Sequence, residues 1–263
     1  MLTGLTESAS PGDLKGTILA LIGVCALQAG VLSYPVIRSG WTGWRLVLTI
    51  FLIFFGVMTF LTQIETVVFL RYLVNVVPAA LIPKLFIQGA VIAALFSPLL
   101  VLIHGGMKKT AEIHETNRYP MIRLTDWIWK LTLIAVIYVF IYSLFGMFVF
   151  KPLAGEAFDN YYAGLKMPMW ILPFQMFRAL IWVVLALLVI RMMKGKWWES
   201  GLAVALLFSV LMSSQLLLHN DFMPDKIRLA HFVEVFSSNF LFGWIVVWLL
   251  SHHQNSSKKQ IRS

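Results

Sequence analysis

The chain has 263 residues, of which 59% are hydrophobic and only 13% charged, against about 25% charged in an ordinary soluble domain, which excludes a water-soluble fold. The net charge is +9, but the bases sit in short loops and in the tail, where positive charge orients a chain in the bilayer, so nucleic acid is not expected as a partner. The single cysteine, Cys25, lies inside an apolar run, leaving no intrachain disulfide and no cysteine-based metal site.

The N-terminal segment sets Glu7 and Asp13 against Lys15 and lacks the basic start of a cleaved signal. Residues 16–36 form the first expected span, ended by Pro35, which cannot continue a helical bonding ladder. A second run begins at Trp44. From Arg45 to Arg71 it makes about 39 Å of helix, more than one upright crossing needs. It either tilts, or stops near Glu65 with the segment to Pro83 at the interface or re-entering the protein. The third span runs from Leu85 to His104, before Gly105, Gly106, Lys108 and Lys109. A polar loop leads to Asp126. The fourth span, Trp127 to Phe150, carries Lys130 near one end, where its stem can snorkel toward water. The fifth covers Trp170 to Met192, the sixth Glu199 to Leu218 and the seventh His231 to Leu250.

The expected fold is thus all-α, a polytopic transmembrane bundle of about seven spans, each near the roughly 20 residues a crossing requires. Residues 1–251 form a single transmembrane domain, and 252–263 a short polar, basic tail. Of the 21 Lys and Arg, twelve fall on the side of the first, third and fifth loops and the tail, and seven on the other. The positive-inside rule then places the N-terminus outside and the C-terminus in the cytoplasm. Tryptophans such as Trp44, Trp127 and Trp197 sit at span boundaries, as an aromatic belt requires. Partners are the lipid bilayer and, beyond it, partner subunits or further copies of the chain.

Polar chemistry concentrates at the outer end. Arg178 lies about 12 Å inside its boundary, where facing lipid is costly, and shares a helical stripe with Gln175 and Trp182. Glu65 reaches the same side and is its expected partner. Gln215 and His219 share a face of the sixth span at i, i+4, and His231, Glu234 and Ser238 share a stripe of the seventh, flanked by Asn239. Each group also has a bland reading: snorkelling for Arg178, a wet loop for His219, Asp221, Asp225, Lys226 and Arg228, interhelical glue for Gln63, Gln215 and Asn239, and structural roles for His104 and His114.

Two functional expectations follow. In the first, a small permease or transport-complex subunit binds a polar or anionic group through Glu65, Gln175, Arg178, Gln215 and Asn239. In the second, a membrane-embedded hydrolase or transferase uses His219, Asp221, His231 and Glu234, as acid and base or around a metal. No cofactor is required by the pattern; zinc on those residues, or b-type haem between the two histidines, are the groups it could take. Phosphate-loop, H-E-x-x-H and G-x-S-x-G motifs are absent.

The order FQMFRAL (Phe174 to Leu180), His219, then His231 with Asn239 is loosely similar to the intramembrane peptidases of the CAAX-processing type, over about a quarter of the chain. That family carries paired glutamates followed by arginine. Here Gln175 and Met176 stand near where the acids belong, so the resemblance implies that Glu65 or Glu234 from another helix takes over the base.

Overall fold

The computed structural model describes residues 11–73, 77–108, 124–163, 165 and 168–251. Seven helices in it are long and apolar enough to cross a membrane: Lys15–Ile37, Gly43–Leu70, Leu81–Ile103, Leu124–Ala154, Ile171–Met192, Trp197–Leu217 and Asp225–Ser251. The chain is an integral, multi-pass membrane protein. Its described residues contain no strand, only an isolated bridge between Ser39 and Met193. The expected tail, 252–263, and most of the loop before Asp126, with His114, lie outside the described residues.

The sixth span is the centre of the bundle, flanked most closely by the seventh. A Cβ on Gly243 would meet Ala205 Cα at 2.9 Å, and one on Gly201 would touch the Trp244 ring at 3.5 Å. Backbones this close need small residues, and Gly201, Ala205, Ser209 and Ser213 recur every four residues along the sixth span, all buried. The first and third spans lie at the periphery and expose apolar faces such as Ile18, Ile22, Leu95 and Leu99. In lipid, that exposure is the solvated state.

The basic end is fastened by its loops. Gly40 N–H donates to Met192 O (2.7 Å), Lys194 N–H to Arg38 O (2.9 Å) and Gly43 N–H to Gly106 O (2.8 Å). Arg38 pairs with Glu199, whose other oxygen accepts the Lys196 N–H (2.7 Å). Gly195, at φ +109, is required here because a Cβ would overlap that carboxylate.

Three expectations are corrected and one open alternative is decided. Pro35 does not end the first helix, which runs to Ile37; in the last turn its missing N–H removes a single bond. The second run, left open between one long span and a stop near Glu65, continues past Glu65: it passes through π-helical Phe55–Leu61, α-helical Thr62–Glu65 and π-helical Thr66–Leu73. Lys130 does not snorkel outward but turns inward, donating to Leu249 O at 2.8 Å, one of the last carbonyls of the seventh span, which lack helical donors and favour a cation. The seventh span starts at Asp225 rather than His231. Arg228, expected in a loop, is therefore a buried helical residue that pairs with Asp225 (2.8 Å) and donates to Leu216 O.

Candidate functional site

Arg178 sits two turns into the fifth span, about 10 Å from the helix start, and is 1% exposed. A charge at that depth persists only if answered. Its Nη2 donates to Glu65 Oε2 at 2.8 Å, the pairing expected from the sequence, and its Nη1 to Gln175 Oε1 at 2.9 Å. The guanidinium lies 6.0 Å from the Tyr138 ring centroid and 5.9 Å from that of Phe174, within cation–π range. Arg178 Nε and Gln175 Nε2 are buried without partners.

A second couple stands on the seventh span. His231 Nδ1 lies 2.9 Å from Glu234 Oε2, close enough for an ion pair though without hydrogen-bond alignment. Both couples line one cavity of about 30 Å³, together with Tyr138, Tyr142, Ser238 and Asn239. The stripe His231, Glu234 and Ser238 thus faces a common space. A volume of that size holds a water molecule or two.

Toward the basic end aromatic rings pack below the cavity: Trp182 lies tilted against Phe208 (4.3 Å) and Tyr138 against Phe242 (4.8 Å), and Trp182, Phe208 and Phe242 are at most 1% exposed. Toward the opposite end Phe150 roofs it in part, the His231 side chain staying 26% exposed; the Phe150 ring lies 5.0 Å from His231 and is packed by Phe158 and Tyr162. These belong to a separate apolar cluster with Met223 and Ile227. The chain reverses at Gly155 (φ +55) into the short helix Glu156–Tyr161, and Tyr161 Oη donates to Phe222 O at 2.6 Å. Burial raises the Tyr161 phenol above its ordinary pKa, keeping it a donor.

Not every candidate residue arrives. Asn239 lines the cavity and Gln175 holds Arg178 from behind, but Gln215 donates instead to Met58 O (3.4 Å). The sixth span ends as α-helix at Ser213 and tightens to a 3-10 turn, Ser214–Leu217, so Gln215 and His219 do not share a helical face. His219 is exposed, 3.2 Å from Asp225 and 3.8 Å from Asp221. The set His219, Asp221, His231 and Glu234 is not brought together, and among the described residues no three His, Cys, Asp or Glu side chains group as metal ligands. His104, at the basic end, meets Ser33 Oγ at 2.9 Å.

Tyr138 and Tyr142 are cavity-lining residues that the sequence reading missed; their i, i+4 spacing inside an apolar run was the available signal. The π turns on both sides of Glu65 were invisible, although π-bulges gather at functional sites. Of the residues behind the likeness to CAAX-processing peptidases, Arg178, His231 and Asn239 reach the cavity and His219 does not. A scan of protein-family models and searches of curated proteins and of solved structures each find no match for this chain.

Proposed function

We propose that the chain is a small permease, or the membrane-embedded subunit of a transport complex, working through this cavity. The observation that carries the reading is the convergence of Glu65, Arg178, His231 and Glu234, from three spans, on one water-sized space at membrane depth. Ionisable groups there are costly and mark solute or ion paths. The π turns flanking Glu65 supply the second support, because irregular backbone beside a polar intramembrane site is how many transporters build theirs. By the lysine and arginine asymmetry, the cavity occupies the outer half of the membrane.

The cargo group is polar but not anionic, since Glu65 already answers the Arg178 charge. Proteoliposomes test the reading with a panel of labelled amino acids, polyamines and sugars under imposed pH and sodium gradients. At least one solute should accumulate with the wild type and fall to the empty-liposome rate with Arg178→Ala. No accumulation, or equal accumulation in both, counts against it.

One contact favours a second reading, a membrane-embedded hydrolase or transferase. Glu234 lies 2.9 Å from His231 Nδ1 beside a space large enough for water, the juxtaposition a general base needs. Its metal-dependent form is weakened because His219 and Asp221 lie elsewhere. Hydrolysis of a peptide or ester panel that survives His231→Ala rules this reading out.

A further inference from the structure

The charges around the cavity do not balance. Arg178 contributes one positive charge and Glu65 and Glu234 one negative each, so with a neutral His231 imidazole the cluster is left with one negative charge beside apolar walls. A buried charge without a partner is strongly disfavoured. The contact between His231 Nδ1 and Glu234 Oε2, at 2.9 Å, sets the carboxylate against a ring nitrogen that carries a hydrogen in one neutral tautomer and in the imidazolium.

The neutral lining leans the same way. Ser238 Oγ and Asn239 Nδ2 both donate to the Val235 carbonyl of their own helix, at 3.3 and 2.9 Å, leaving their oxygens as acceptors. Tyr138 Oη accepts the Trp182 indole N–H at 3.4 Å, and Tyr142 adds another hydroxyl. Against these oxygens, one hydrogen of each Arg178 Nη goes to Glu65 or Gln175, and Arg178 Nε is without a partner. Oxygen-rich and with room for one or two waters, near 30 Å³, the space matches one hard cation or one protonated group.

We propose that the cavity between Glu65, His231 and Glu234 takes up one small monovalent cation, either a proton or an ion of sodium size. The inference rests on the cavity being the working site of the permease reading and names what that site binds. The groups facing His231 are Glu234 on its own span, Glu65 on the second, Arg178 on the fifth, Tyr138, Tyr142 and the Phe150 ring on the fourth, and Tyr162 beyond it. Glu65 is committed to Arg178, so the Glu234–His231 couple is the part free to exchange its cation.

The full-length protein in lipid nanodiscs provides the test, at equilibrium and with no transported solute. In one arm, labelled sodium is titrated at several pH values; in the other, histidine nitrogen resonances are followed between pH 5 and 8, with His231 assigned by loss in His231→Gln. A sodium site appears as saturable binding that falls at least tenfold in Glu234→Gln and is displaced by protons. A proton site appears as a His231 titration that moves in Glu234→Gln while sodium has no effect. His219→Gln should leave both unchanged, and thermal unfolding shows that each variant is folded. Absence of saturable sodium binding together with a His231 resonance unmoved by pH or by Glu234→Gln overturns the inference. Cation binding without solute uptake defeats the permease reading alone; uptake without cation binding defeats this inference alone.

Discussion

Arg178 and Glu65, 113 positions apart in the chain, meet through a 2.8 Å hydrogen-bonded ion pair that ties the fifth span to the second. Breaking a buried pair strands the remaining charge, which costs about 3–5 kcal/mol. Arg178→Ala and Glu65→Ala should each lower the thermal unfolding midpoint in detergent markedly. Because two apolar residues of similar volume restore packing without an orphan charge, Arg178→Met with Glu65→Leu should recover most of the loss. Single variants as stable as the wild type would show that the pair is not under strain of burial.

Lys130 and the Leu249 carbonyl make the corresponding link at the basic end. A hydrogen bond from a charged group contributes about 1.5–3 kcal/mol. Lys130→Met keeps the stem packing and removes the bond, so it should destabilise the end of the seventh span. Faster hydrogen exchange confined to residues near 246–251 is the expected readout; uniform protection across that turn would contradict it.

The roof over His231 should open when its latch is cut. Tyr161→Phe removes the 2.6 Å bond to Phe222 O, worth about 1 kcal/mol, or roughly a fivefold shift in population. In a Cys25→Ser background with Ser238→Cys as reporter, thiosulfonate labelling should speed up about as much. An unchanged rate means that the segment at Gly155 does not control access.

Glycines of different surroundings should respond differently to the same substitution. Gly243 faces Ala205 backbone, whereas Gly23 has nothing within 4 Å of its Cβ position. Gly243→Leu should separate the sixth and seventh spans and cost about 1–3 kcal/mol or more, while Gly23→Leu should be neutral in unfolding assays. Equal effects would mean that close packing on the sixth span does not hold the bundle.

The spans were legible because apolar run length against bilayer thickness is a one-dimensional property, and the Arg178–Glu65 pair was legible because an isolated intramembrane charge must find its opposite. What failed depended on tertiary detail. His219 and His231 look alike in sequence, each beside an apolar run, yet a 3-10 turn puts one in solvent and a helix start at Asp225 carries the other inside. Lys130 was misread because the carbonyl it caps lies 119 residues away. The Gly201, Ala205, Ser209, Ser213 spacing was present in the sequence but gained meaning only once Gly243 was seen against it.

The ring plug of Trp182, Phe208 and Phe242 has an electrical consequence. A transmembrane potential falls mainly across the dry part of a protein, and moving one charge through all of it involves about 2.3 kcal/mol per 100 mV. With the plug closed, a cation that reaches Glu234 from the roof side has crossed only the smaller share of that drop. Filling the cavity should therefore be less sensitive to voltage than passage beyond the rings, and the cation moving past them, not the neutral rings, should carry most of the charge that an electrode records.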